Sequence, residues 1–330
     1  TKQEGLASLA EIRVATEGAK VASGKAQLAS ENAKVVSEDV REMIVGQQVT
    51  SWLAPYDNGP RYHTLLKSRQ SGTCEWFVGG TYQQWLDTSN GLFWLHGNRE
   101  RAIVSHESKF LIAAQLGQAK VSCCMISSSS LVVRCSTRFR SFLVEHLITQ
   151  KECVAYHLFD FRAPDTYSVL KMLSSLVYQL GTTSETCHGQ LEKVYYQLRR
   201  SSLSADQDSL HACLLEMIRT SPRRVIIALD ALDEFPNPGR KDALLPFLRQ
   251  LKADAMDNLR LVVTSRREAD IHHAVLPLST HSLDLHDVPE SRADDISSYI
   301  AAQLALHCGH WSADTCVRVK QTLQERADGM

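Results

Sequence analysis

The chain has 330 residues, of which 44% are hydrophobic and 22% charged, and a formal net charge of −1. That length can bury one large core or two medium ones, and the near-neutral balance creates no global field to gather nucleic acid or an anionic membrane. The chain has no apolar run of about eighteen residues and no signal-peptide pattern at its start, so the expectation is a soluble, cytoplasmic protein with no membrane and no nucleic-acid partner.

Residues 1–51 contain neither proline nor an aromatic residue and are rich in Ala, Lys, Glu, Ser and Val, which favours a helical stem. Leu6, Leu9 and Ile12, then Leu28, Val35, Val36, Val40, Met43 and Ile44, form a thin apolar face interrupted by Gly5, Gly18 and Gly24. Residues 52–90 bring in proline and aromatics (Trp52, Pro55, Tyr56, Trp76, Phe77, Tyr82, Trp85) and read as a connector whose aromatics dock the stem. From Gly91 strand and helix patterns alternate. Strands are expected at Leu92–His96, Val154–Phe159, Val225–Leu229, Leu259–Thr264 and Ser282–Leu285; helices are expected at Tyr167–Leu180, Leu210–Ile218 and Ala243–Leu251. Such alternation predicts an α/β domain with a mostly parallel sheet covered on both faces. Past residue 276 the pattern turns helical, with amphipathic segments at Asp294–Leu306 and Ala313–Ala327. The first residue, Thr1, and the stop at Met330 both read as cuts through a longer protein.

Nine cysteines form no C-x-x-C pair and read as reduced, scattered thiols. His307-Cys308-Gly-His310 with Cys316 matches no standard zinc spacing and reads as helix surface. The pairs Arg199-Arg200, Arg223-Arg224 and Arg266-Arg267 read as element flanks rather than a nucleic-acid face, and His272-His273 as part of a solvated helix.

The most informative segment is Arg224-Val-Ile-Ile-Ala-Leu-Asp-Ala-Leu-Asp-Glu234, followed by Leu261-Val-Val-Thr-Ser-Arg266. Val225–Leu229 suits a strand buried on both faces, and its carboxyl end delivers acids where open α/β sheets bind ligands. In a phosphate-transfer site such acids hold magnesium and position water. Two plainer readings remain open: exposed acids opening a helix or loop, and Arg266 as a surface charge ending a strand.

Eight blocks in order carry a resemblance: Gly72-Thr-Cys-Glu-Trp-Phe77, Phe93-Trp-Leu-His-Gly97, Phe142-Leu-Val-Glu-His-Leu147, Ala155-Tyr-His-Leu-Phe-Asp-Phe161, Leu229-Asp-Ala-Leu-Asp-Glu234, Val263-Thr-Ser-Arg266, Asp295-Ile-Ser-Ser-Tyr299 and Ala327-Asp-Gly-Met330. Together they resemble the NACHT domain of STAND-type P-loop NTPases, in the fungal NLR-like group whose module is also called nephrocystin 3-like N-terminal. The resemblance covers about residues 50–330. It implies a P-loop NTPase-like parallel sheet flanked by helices at 91–275 and a truncated helical subdomain at 276–330, which follow the helical stem at 1–51 and the connector at 52–90 read from composition.

The resemblance also implies ATP/ADP and Mg²⁺ as cofactors, slow NTP hydrolysis, homo-oligomerisation through NACHT domains, and effector and sensor domains outside this chain. By the same resemblance Asp230 reaches Mg²⁺ and Asp233 or Glu234 orients the attacking water. Arg266 senses the γ-phosphate, and Gly97 opens the phosphate-binding loop.

In the family a G-x-x-x-x-G-K-[ST] loop follows Gly97; this chain continues Asn98-Arg-Glu-Arg-Ala-Ile103 and contains no such motif up to Ser141. The stretch 98–141 reads as an anomalous insertion, and 108–144 holds no Asp or Glu. Two accounts of it stay open: an unspliced intron, frame disturbance or degraded copy, and a genuine insertion that retired nucleotide binding. Gly117-Gln-Ala-Lys120 keeps a glycine and a lysine, but Val121 replaces the hydroxyl residue that would reach magnesium. For the parent protein the resemblance implies an ATP/ADP-controlled oligomerisation switch. The alternative is a nucleotide-binding-defective scaffold acting through protein contacts, and a DNA-remodelling ATPase is disfavoured by the neutral charge.

Overall fold

A computed structural model describes residues 45–67, 74–97, 142–143, 145–149, 152–201, 203–254, 257–285, 297–298, 300–302, 304–305 and 311–328. The chain divides into two compact units, Thr1–Trp52 and Leu53–Met330. In the first, the described residues 45–52 are helical. The earlier part of the stem, the 98–141 stretch with Gly117–Lys120, and the His307–His310 run lie outside the described residues.

The second unit is built on a five-stranded, all-parallel sheet flanked by helices, in the order β2-β3-β4-β1-β5. The strands are β1 (Gly91–Gly97), β2 (Cys153–Leu158), β3 (Val225–Asp230), β4 (Leu259–Arg266) and β5 (His281–Asp284). Sequence character follows position in the sheet. Central β3 is buried throughout and β4 in all but its last residue, so both read as unbroken apolar runs, whereas β2 begins with alternating burial and β5 is only partly buried, as edge strands are.

The helices are α1 (Gly59–Lys67), α2 (Thr81–Asp87), α3 (Val169–Thr183), α4 (Glu185–Arg200), α5 (Gln207–Thr220), α6 (Leu245–Asp254), α7 (Ala269–Val275) and α8 (Ala313–Asp328). α3 starts two residues later than its apolar pattern predicts. Pro164–Tyr167 forms a 3₁₀ turn, and the Ser168 side chain caps the helix by accepting a hydrogen bond from Lys171 N. α6 likewise starts later, because a π-turn at Arg240–Leu244 precedes it. α4 escapes the sequence reading because its described core contacts come from only Cys187, Leu191 and Tyr195 on an otherwise polar helix. Its approach to α3 needs a glycine: a Cβ on Gly181 would lie 2.7 Å from Leu191 Cδ2.

One face of the sheet is covered by Phe77, Tyr82, Trp85, Phe142, Leu143 and Leu147, packed with Phe93, Leu95, Ile226, Ala228 and Val262. The connector aromatics Phe77, Tyr82 and Trp85 belong to the core of the α/β domain: Phe77 stacks on Phe93 at 5.5 Å, and the Trp85 indole donates to Gly91 O at 3.1 Å. The alternate residues Trp94, Ile227, Leu229, Leu261 and Val263 are equally buried on the opposite face, so both faces are covered.

The β2 edge is closed by side chains in place of a further strand. Asn58 accepts from Leu158 N at 3.0 Å and donates to Tyr156 O at 3.3 Å; Gln179 accepts from Tyr156 N at 3.0 Å and donates to the same carbonyl at 2.8 Å. Outward backbone groups that would template another strand are satisfied internally.

Among the described residues, no helix is long and apolar enough to cross a membrane. The arginine pairs flank elements as expected: Arg199-Arg200 closes α4, Arg223-Arg224 precedes β3, and Arg266 ends β4.

Candidate functional site

Because every strand points the same way, all five carboxyl ends share one edge of the sheet. The connection leaving β1 crosses toward β2, past β4 and β3, whereas the one leaving β4 crosses β1 to reach β5. Neighbouring β1 and β4 therefore send their chains in opposite directions, and the crevice at their carboxyl ends is a topological switch point, where open α/β sheets bind ligands. The register places Gly97 opposite Arg266 and Leu95 opposite Thr264, while Leu229 opposite Val263 brings Asp230 beside Thr264. Gly97, Asp230 and Arg266, far apart in sequence, end three adjacent strands.

Asp230 is only 3% exposed. Thr264 Oγ1 donates to Asp230 Oδ1 at 2.5 Å and accepts from Ala231 N at 2.9 Å, so one hydroxyl fixes both the carboxylate and the start of the next turn. That turn begins with Ala231 in the left-handed region (φ 62°), which costs a non-glycine residue about 1 kcal/mol and redirects the chain into the 3₁₀ turn Leu232–Glu234.

The turn sends the next two acids in different directions. Asp233 Oδ1 accepts from Arg266 N at 2.9 Å, and Oδ2 lies 3.3 Å from Arg266 Nε. Asp233 is nearly buried, its side chain 6% exposed, whereas the Arg266 side chain is 52% exposed. Glu234 Oε2 accepts from Phe161 N at 3.1 Å, bridging to the segment after β2. Asp233 and Glu234, alternatives for one role in the sequence reading, occupy distinct places.

Sequence reasoning assigned no role to several residues at this edge. Asp160, just past β2, takes hydrogen bonds from Arg162 N and Nε at 3.0 and 3.2 Å and pairs with Arg61 at 3.2 Å. Burial opposes its ionisation, but those cations outweigh burial and hold its pKa below the usual carboxylate value. His157 is fully buried with Nε2 3.4 Å from Thr166 O; burial pushes its pKa down to about 4, so the ring is neutral at physiological pH. His96 Nε2 lies 3.0 Å from Ser282 Oγ, and its Nδ1 lies 3.5 Å from Asp284, which is itself 3.9 Å from Arg267. His272 is half-buried against Trp94, with ring centroids 5.8 Å apart, while His273 is exposed as the sequence suggests. The only sequence signal for Thr264 is a hydroxyl inside a buried apolar run. Asp160 offers even less, because one of its partners, Arg61, lies almost a hundred positions away.

The Asp230 carboxylate ending β3 and the Thr264 hydroxyl beside it on β4 are hard oxygen donors of the kind a cation such as Mg²⁺ takes. Among the described residues, no group of three or more His, Cys, Asp or Glu side chains is arranged to hold a metal alone. A magnesium ion carried in by a phosphate chain needs only one or two protein carboxylates, and Asp230 meets that requirement.

Residues 136–266, which span β2, β3, β4 and the acids just described, match the family model for "Nephrocystin 3, N-terminal". Among solved structures, one similar chain is that of "Structure of C. elegans PCH-2", at 12% identity and a TM-score of 0.25, covering 69% of this chain and 60% of that one. This chain thus spans less than two thirds of that protein. No curated protein matches.

Proposed function

We propose that the α/β domain, whose residues 136–266 match the nephrocystin 3 N-terminal family model, is an NTPase-like module of the NACHT, STAND type, and that it switches assembly state according to the nucleotide it holds. The observation that carries this reading is the convergence of Gly97, Asp230, Asp233 and Arg266 on neighbouring strand ends at a switch point. Asp230, oriented by Thr264, is the residue to hold Mg²⁺. The ion supplies charge neutralisation for the β- and γ-phosphates.

Arg266 is half exposed, and its guanidinium is engaged by Asp233. An incoming terminal phosphate competes with Asp233 for that guanidinium, and bidentate arginine–phosphate contacts are strong enough to win in a partly desolvated crevice. Asp233 is then released to orient a water molecule, while Glu234 stays tied to Phe161. Phosphate binding and exposure of the catalytic acid become one event, which is the behaviour a nucleotide-controlled switch needs.

A second reading is supported by the same contacts: Asp233, Glu234 and Arg266 each have an intramolecular partner already, as in a domain that acts only as a protein scaffold. Light scattering of the full chain in Mg·ADP and in Mg·ATP separates the two. The switch reading expects a larger assembly in Mg·ATP that an Arg266→Ala variant fails to form. An identical mass in both nucleotides and in none supports the scaffold.

A further inference from the structure

The loop Ala231–Phe235 and the segment Arg267–Asp270 follow different strands, yet one buried side chain bonds both. Arg240, 4% exposed, lies in the π-turn before α6. Its Nη1 donates to Asp233 O at 2.9 Å and to Phe235 O at 3.4 Å. Nε and Nη2 form a fork on Asp270 at 2.9 and 3.2 Å, and Nη2 also reaches Glu268 at 2.5 Å. Burial disfavours its charge, but the hydrogen bonds it donates to the Asp270 and Glu268 carboxylates outweigh burial and raise its pKa.

Arg240 therefore acts on both ends of the Asp233–Arg266 pair. On one side it holds the backbone of Asp233 itself; on the other it holds Glu268 and Asp270, two and four positions beyond Arg266. Thr264 anchors the same loop one residue after β3, at Ala231, so the acid-bearing turn is fixed at both ends. A planar, five-donor guanidinium can bridge four groups in this way, whereas a lysine ammonium has three donors and no fork.

We propose that Arg240 is the positioning residue of this edge, setting where Asp233 presents its carboxylate to Arg266. A purely structural ion pair would affect the sheet as a whole. A positioning residue affects the pair and leaves the sheet intact. The consequence for nucleotide, though not the coupling itself, rests on the reading in the preceding section.

The test is residue-resolved amide hydrogen exchange on the full chain, comparing wild type, Arg240→Lys and the milder Asp270→Asn, which keeps Arg240 in place. The reporter is the Arg266 N–H, which donates to Asp233 Oδ1, with the amides of β3 as internal reference. The expected result is exchange at Arg266 about tenfold faster in Arg240→Lys, less so in Asp270→Asn, with β3 unchanged. Unchanged exchange at Arg266, or acceleration by the same factor in β3, overturns the proposal.

Mg·ATP affinity measured on the same samples adds a second readout: Arg240→Lys weakens binding when Arg266 is present and adds no further loss in an Arg266→Ala background. An equal loss in both backgrounds also overturns the positioning role. If the wild-type chain binds no nucleotide, the nucleotide reading falls, and the exchange data still decide the role of Arg240.

Discussion

The two ends of the sheet use charge in opposite ways. At the amino end, cationic and amide side chains bind the backbone carbonyls that end helices, beside ion pairs of Arg224 with Glu152 and Asp87. Arg260 Nε and Arg224 Nη1 both donate to Leu86 O, at 2.7 and 3.0 Å, closing the end of α2, and Asn258 Nδ2 donates to Ile218 O, Ser221 O and Arg223 O, each at 3.0 Å, closing α5. Lys252 bonds Asn90, and burial together with the nearby Arg260 charge pushes its pKa down to about 8. At the carboxyl end, ion pairs predominate: buried Arg240 pairs with Asp270 and Glu268 while also holding two carbonyls, and Arg266 and Arg267, each about half exposed, pair with Asp233 and Asp284. The Leu86 carbonyl is held by two arginines at once, the buried Arg260 and the partly exposed Arg224. Ion pairs at a water-facing edge can exchange partners, so the same residue types knit the fold at one end and leave it responsive at the other.

The amino end should therefore give the largest stability effects and none on ligand response. Arg260→Leu removes three buried hydrogen bonds from a charged donor, to the carbonyls of Leu86, Asp257 and Leu259, and is expected to cost about 3–4 kcal/mol, read from the shift in urea midpoint, while nucleotide affinity per folded molecule is unchanged. A loss of affinity in that variant would break the comparison.

Next in size is the pH response of His157. Its folded pKa of about 4 lies below the ordinary 6.5, so on acidification the unfolded chain takes the proton first. Stability is thus lost as pH falls from about 6.5 to about 4, by about 3 kcal/mol in all, and His157→Asn should flatten that dependence in urea melts at pH 7 and pH 5. Asp160 and Asp270 have depressed pKa values and lose their contribution only at lower pH, as each titrates through its folded value, so the windows separate.

Asn58→Ala uncovers the β2 edge at Leu158 N and leaves Tyr156 O with Gln179 as its donor, and should cost about 2 kcal/mol and promote aggregation, checked by denaturation and light scattering. Smallest is Arg266→Ala: a half-exposed pair should change stability by no more than about 0.5 kcal/mol while altering the response to ATP. A large loss of stability there would assign Arg266 to the structural class.

How much of this was legible in the sequence depended on the range of the signal. All five strands were legible because β1, β3 and β4 are continuous apolar runs, a pattern that buried parallel strands impose locally. The run of acids after Leu229 and the arginine ending β4 were legible for the same reason, since each abuts a strand end. Their partnerships were not. Asp233 meets Arg266 only because β3 and β4 are neighbours, and Arg240 reaches Asp270 only because a π-turn points it back under the loop. The aromatics Phe77, Tyr82 and Trp85 looked like a docking patch because composition records that they must be buried but not against what.

The central claim is that the carboxyl edge binds magnesium nucleotide through Asp230. Equilibrium binding of labelled ATP to the full chain, with and without Mg²⁺, in wild type and Asp230→Ala, tests it most directly. Saturable, magnesium-dependent binding that is lost in Asp230→Ala is the expected result. No binding to the wild type, or binding that persists unchanged without Mg²⁺ or without the Asp230 carboxylate, would contradict it.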